Sequence, residues 1–411
     1  MVRLHGLITN NSKFLLFLAS DIIPFLVNLV IFSLLLRKTS ADVYGKYVFL
    51  ISIITWINTL ILFGMNYTGV SLIRGNLQSI LNVIEQIIKL RFILYLVCCL
   101  ILALLAIGHI VTIAMSFSLA FLSLAQVFQV DFVTIALEKP NFNSIARLTQ
   151  GITMFLITFF IINKNSNAEI IIFYQAISVF FGLIALYLLL KPTLSYNNRV
   201  QKIKIGDIFK NGVSISISQF CQAGYLNMDV IVLGLFSRDA VFIGQYGAFS
   251  KLLLTGLTPM ASLLNSFSAT LSSAFLSKDK DKITKTIKRM QKMSNFLGIV
   301  GFFTMLILSK LVIELFSGNK TNVSLLSIFL FSAIYLLYAL QLPFYATMPY
   351  FQKNKGFLVI SASTLIISII FSTIGVLIFS NMFVILGTLA YSSFLAYSSK
   401  RFYYLSLRIF K

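Results

Sequence analysis

Long apolar runs separated by short polar gaps fill this chain from one end to the other. The runs lie near residues 14–36, 47–70, 92–108, 110–137, 145–162, 170–190, 211–236, 241–274, 293–316, 323–351, 356–379 and 382–404. A bilayer core about 30 Å thick takes roughly 20 helical residues, and most of the runs reach that length. The pattern predicts an all-α integral membrane protein of twelve transmembrane helices. The polar segment Lys191–Asp207 divides it into two six-helix bundles, residues 1–196 and 197–411. An even number of spans per half gives both halves the same orientation, related by a pseudo-two-fold axis along the membrane normal. Tyr44-Gly45-Lys46-Tyr47 opens the second span, and Ile243-Gly244-Gln245-Tyr246 opens the eighth 199 residues later. An amphipathic stretch follows each: Leu77, Ile80, Leu81, Ile84 and Ile88 in one half, and Ile283, Ile287 and Met290 among lysines in the other. Both read as helices lying at the membrane surface, the second held to anionic lipid.

Charge fixes the orientation. Hydrophobic residues make up 58% of the chain and charged ones 11%, which excludes a soluble domain. Of the 33 Lys and Arg, the gaps that are cytoplasmic when the N-terminus is inside hold 25 and the opposite gaps hold seven. By the positive-inside rule both termini face the cytoplasm. The net charge of +21 is spread over these loops, which argues against nucleic-acid binding. The first apolar run is too long for a signal peptide and lacks a small-residue cleavage site. Cys98, Cys99 and Cys221 all fall within spans and read as packing residues rather than disulfide or metal partners. His5 and His109 have no ligand company.

Polar groups inside spans are costly and mark sites. In the seventh span Asn211, Ser214, Ser218, Gln222, Tyr225 and Asp229 recur three or four residues apart. At about 100° per residue, Ser218 and Asp229 point within about 20° of each other. The stripe reads as the lining of an aqueous path, with hydrogen bonding between helices as the alternative. The eighth span carries Gly244, Gly247, Lys251, Thr255, Thr258, Ser262 and Asn265 at the same spacing. Asp229 and Lys251 lie about 11 and 15 Å along their helices from the outer face, so they can meet. Such a pair is either structural, or a switch in which an anionic substrate group or a coupling cation competes for one partner. In the first span Asp21 and Asn28 share a face across Pro24, which removes a backbone hydrogen bond and bends the helix. Asp21 is a gating element or cation site, or else an acid at the lipid interface. Asp131 with Arg147, and Lys310 with Glu314, read as local ion pairs. Pro259, Pro343 and Pro349 predict kinks in the eighth and tenth spans.

The motifs Tyr44-Gly45-Lys46-Tyr47, Phe63-Gly64-Met65-Asn66, Leu226-Asn227-Met228-Asp229, Val232-Leu233-Gly234, Gly244-Gln245-Tyr246-Gly247-Ala248 and Lys251-Leu252 together resemble a polysaccharide flippase. The type is that of O-antigen and capsule precursors, in the multidrug/oligosaccharidyl-lipid/polysaccharide exporter superfamily. The resemblance implies a multi-pass carrier of the bacterial inner membrane. It would move an undecaprenyl-diphosphate-linked oligosaccharide from the cytoplasmic to the outer leaflet by alternating access. Its partners would be that substrate, membrane lipid, a polysaccharide polymerase and a chain-length regulator; it has no prosthetic cofactor and no metal. Ser214, Ser218, Gln222, Tyr225, Asp229, Lys251, Thr255 and Asn28 would line the substrate cavity. Lys251, Arg74 and Arg147 would meet the diphosphate, and Asp21 or Asp229 would couple transport to protons or sodium. The alternatives are a cation-coupled multidrug exporter of the same superfamily and, less well matched, a multispanning polymerase. No external acid/base cluster supports the polymerase, so the chain is read as a transporter and not an enzyme.

Overall fold

In the computed structural model the apolar runs fold as helices, and no strand occurs among the described residues. The structure describes Pro24 and residues 26–65, 68–75, 80–137, 139–193, 205–237, 239–317, 325–351, 354–379 and 381–409. In chain order the helices are α1 (26–38), α2 (Ala41–Leu62), α3 (Thr68–Gly75), α4 (Ile80–Ile107), α5 (Ile113–Val127), α6 (Asp131–Ala136), α7 (Pro140–Phe160) and α8 (Ala168–Leu190). Then come α9 (Ile205–Val232), α10 (Ala240–Gly256), α11 (Thr258–Leu276), α12 (Lys280–Ser317), α13 (Leu325–Tyr345), α14 (Asn354–Ile374) and α15 (Ile385–Ile409). Among the described residues eight helices are long and apolar enough to cross a membrane by length and composition.

The described residues group into two compact units, Leu26–Asn227 and, with Pro24, Met228–Lys411. The division therefore falls inside α9, whereas the boundary read from the sequence lies in residues outside the described ones. Packing explains the difference. Trp56 of α2 stacks on Phe220 of α9 with ring centroids 5.0 Å apart and donates its indole N–H to the Phe220 carbonyl at 3.0 Å. Phe63 stacks on Phe209 at 5.3 Å. Between these pairs Gly64, at φ +65°, approaches Ile215 so closely that a Cβ would sit 3.0 Å from its methyl. The Phe63-Gly64 motif is thus the left-handed end of α2 pressed against α9.

Spans two and four of the first unit are broken, α2 giving way to α3 and α5 to α6. A break at this depth strips carbonyls of their helical donors, and hydrocarbon offers none in return. Arg91 resolves both. It is 2% exposed, donates to Gln129 O at the α5–α6 break and to Leu62 O at the end of α2 (3.4 Å), and lies over the Phe132 ring at 5.4 Å. A guanidinium at two helix C-termini also meets the negative ends of their dipoles. The sequence places Arg91 in a cytoplasmic gap before a span starting at 92; α4 begins at Ile80, so the residue sits inside a helix.

Of the two stretches expected to lie along the membrane surface, Leu77 lies outside the described residues and the rest are the opening turns of α4 and α12. Their apolar faces are buried in their own units: Ile80 (3%) and Ile84 (5%) in one, Ile283 (0%), Ile287 (2%) and Met290 (0%) in the other. Helix α12 runs unbroken for 38 residues, about 57 Å at 1.5 Å per residue. It is held to α13 by close approach: Gly298 faces Ala339, Gly301 faces the Tyr335 ring, and Ser294 donates to Ala339 O. A second such seam joins α14 to α15. Ser361, Thr364, Ser368 and Ser372 are all 0–1% exposed, and Gly387 meets Ser372 and the Ser368 carbonyl.

Replacing Arg91 with Met is expected to lower stability by about 3 kcal/mol, since two carbonyls lose a charged donor. Replacing exposed Arg147 with Met should change it by less than about 0.5 kcal/mol. Thermal melts of the two variants in detergent measure the contrast.

Candidate functional site

A buried carboxylate in the second unit is the centre of the site. Asp229, three residues before the end of α9, is 3% exposed. Its Oδ2 accepts hydrogen bonds from the Tyr246 hydroxyl of α10 and the Thr388 hydroxyl of α15, the latter at 3.2 Å. Its Oδ1 accepts from the Val230 amide at 2.9 Å. Three donors converge on one acid, and two of them come from other helices. Among the described residues no cationic side chain reaches it. Tyr391, one turn beyond Thr388, is 2% exposed.

The backbone around the acid is irregular. A π-helical turn, Leu233–Ser237, follows α9 directly, and a second one, Gly375–Phe379, follows α14. The two π turns pack against each other and against a 3₁₀ turn at Asn381–Val384. There Gly375 lies so close to Phe383 O that a Cβ would meet it at 2.2 Å. Single π turns inserted in helices are frequent at functional sites because they displace side chains from regular register.

The remaining α9 positions are placed as follows. Ser218 is fully buried and donates to the Ser214 carbonyl one turn back at 2.8 Å; Tyr225 is 1% exposed. Ser214 and Gln222 are partly exposed. Asn28, in α1, is exposed. Lys251 and Thr255 have their backbone in α10 and Arg74 in α3, with side chains outside the described residues; Asn211 is placed likewise in α9, and Asp21 lies outside them altogether. The expected Asp131–Arg147 pair is present at 3.9 Å, with Asp131 also accepting from Gln129 Nε2 at 2.9 Å. Lys310 and Glu314 lie in α12, also with side chains outside the described residues. Pro259 stands at the α10–α11 break, Pro343 inside α13 and Pro349 in the turn that ends it.

The sequence offers Lys251 as a partner for Asp229, a pairing that falls on a side chain outside the described residues, and it does not single out Tyr246 or Thr388 as partners. Tyr246 was within reach of it, being part of the repeated Gly-x-Tyr motif and nearer the α9–α10 connection than Lys251. Thr388 is 159 residues from Asp229, and nothing local announces it. The first unit has a counterpart to Tyr246: Tyr47, at the same place in the repeat, donates across to Gln175 of α8 at 3.0 Å. No group of three or more His, Cys, Asp or Glu that could hold a metal occurs among the described residues.

Tyr246→Phe and Thr388→Val should each lower stability by about 1–3 kcal/mol, the cost of removing a donor from a buried acceptor. In an Asp229→Ala background, which has no side-chain acceptor, most of that loss should vanish. A double-mutant cycle on melting curves measures the coupling.

No protein-family model and no curated protein matches the sequence. Solved structures do. A multidrug resistance MATE family transporter of the MOP superfamily in its inward-facing conformation superimposes with a TM-score of 0.71 at 12% identity, over 97% of this chain and 98% of that one. An outward-facing conformation of such a transporter gives 0.63 at 12% identity, over 98% and 93%. The MATE multidrug transporter DinF-BH in complex with R6G gives 0.66 at 13% identity, over 98% and 94%. The expected twelve-helix, all-α membrane architecture matches theirs along nearly the whole chain. This chain shares the fold of MATE family transporters of the MOP superfamily.

Proposed function

We propose that the protein is a cation-coupled exporter that works by alternating access, with Asp229 as the coupling carboxylate. The observation that carries this reading is the convergence of Tyr246, Thr388 and the Val230 amide on a buried acid with no cationic partner among the described residues. A carboxylate in that setting is poised to take up a proton or sodium ion. Hydroxyls donate and accept equally well, so Tyr246 and Thr388 reverse their hydrogen bonds when the acid is neutralised. Because the three residues sit on α9, α10 and α15, that reversal is felt by all three helices at once. The fold's occurrence in inward- and outward-facing forms among its neighbours supports alternating access.

For the cargo, the likeness to multidrug transporters favours amphiphilic small molecules over a lipid-linked oligosaccharide. The flippase reading is kept as a second one on a specific observation: the hydroxyl and amide face of α9, with Ser214 and Gln222 still partly exposed, suits sugar hydroxyls. In that case Lys251, Arg74 and Arg147 are the proposed diphosphate contacts.

Membrane vesicles carrying the protein should export rhodamine 6G when a proton or sodium gradient is imposed. Asp229→Asn should reduce that export at least about tenfold, corresponding to about 1.4 kcal/mol or more, at unchanged protein level. Export that is unaltered in Asp229→Asn sinks the coupling role. Dye export absent from wild type, together with a linked glycan precursor that accumulates on deleting the gene, moves the cargo to the flippase reading.

A further inference from the structure

On the first unit a groove of about 590 Å³ opens between α4, the end of α5 and the last turns of α8. Its walls are Leu81, Phe128, Phe180, Ile184 and Leu188, and its one charged lining residue is Lys191. Tyr187 closes the floor by donating to the Phe128 carbonyl at 3.1 Å, so the polar backbone exposed where α5 ends is already satisfied. Ile184 (55% exposed) and Leu188 (66%) hold the outer rim.

From Phe180 to Lys191 the groove follows α8 for about 16 Å at 1.5 Å per residue. That is close to half of a hydrocarbon core about 30 Å thick. The basic asymmetry of the chain assigns the Lys191 end to the cytoplasmic face. An apolar trough one leaflet deep, with a lone ammonium at headgroup level and no acid in its lining, has the charge pattern of an anionic lipid in reverse.

We propose that this groove is a binding site for one anionic phospholipid of the cytoplasmic leaflet. An acyl chain lies along Phe180, Ile184 and Leu188, and the phosphate sits at Lys191. The site is separate from Asp229 and does not depend on what the protein exports.

Full-length protein in detergent is incubated with dioleoyl-phosphatidylglycerol or dioleoyl-phosphatidylcholine, and retained lipid is counted by native mass spectrometry. Wild type should favour the anionic lipid about fivefold, since one lysine near a headgroup contributes about 1 kcal/mol. Lys191→Glu should abolish the preference. Ile184→Trp, which fills the rim, should cut retention of both lipids by more than about half, and Leu188→Trp provides the same test should that variant misfold. An unchanged preference in Lys191→Glu, or unchanged retention in both tryptophan variants, overturns the site. Displacement of phosphatidylglycerol by an equimolar polyprenyl phosphate overturns the assigned occupant.

Discussion

A chain in hydrocarbon has no solvent to complete its backbone hydrogen bonds, so every place where a span leaves the helix must be repaired by the protein itself. That constraint organises both units. In the first, one long cation reaches two breaks at once: the Arg91 guanidinium meets carbonyls from the ends of α2 and α5. The Tyr187 hydroxyl takes a third carbonyl, that of Phe128. In the second, local backbone bonds are present at both breaks. The chain turns from α10 into α11 with Met260 and Ala261 amides both on Leu257 O. Past α13, the Thr347 amide and hydroxyl both return to Phe344 O. Broken spans occupy the same places in the two halves, and in the first a charge closes both of them.

The second unit uses its polar side chains to hold an acid rather than a carbonyl. Asp229 sits beside a π turn that packs on another π turn, so irregular backbone and buried charge occur together there. Elsewhere hydroxyls are spent on packing. The serines of α14 let α15 approach closely at Gly387, and the Ser294 hydroxyl pins α12 to α13. The same residue types thus serve two ends: small buried hydroxyl residues let helices close into seams, while Thr388 and Tyr246 aim outward from their helices at a shared partner.

Much of this was legible in the sequence. Run length gave the helices, and Pro259 and Pro349 gave two of the breaks. The acid at Asp229 stood out because a charge in an apolar run is conspicuous. What stayed hidden depended on tertiary packing. Arg91 looked like a loop residue because charge ends an apolar window, although α4 continues three turns before it. The amphipathic stretches looked like surface helices because periodicity reports a buried face without saying whether lipid or protein buries it. Phe63-Gly64 was visible as a motif, yet only the packing of α2 on α9 through Phe209, Ile215 and Phe220 explains why the division into units falls within α9. Thr388 carries no local signal at all, and its role exists only because α15 passes α9.

Helix α12 has a mechanical consequence. It contains no proline and no break from Lys280 to Ser317, and sharp kinks need such a cause. It therefore behaves as a stiff rod whose basic opening turns also carry the buried Ile283, Ile287 and Met290. At about 57 Å in length, a tilt of about 10° pivoting at one tip sweeps the other through about 10 Å. A rotation at the seam with α13 is thus carried along the whole rod to the lysine-rich turns and the residues packed on them.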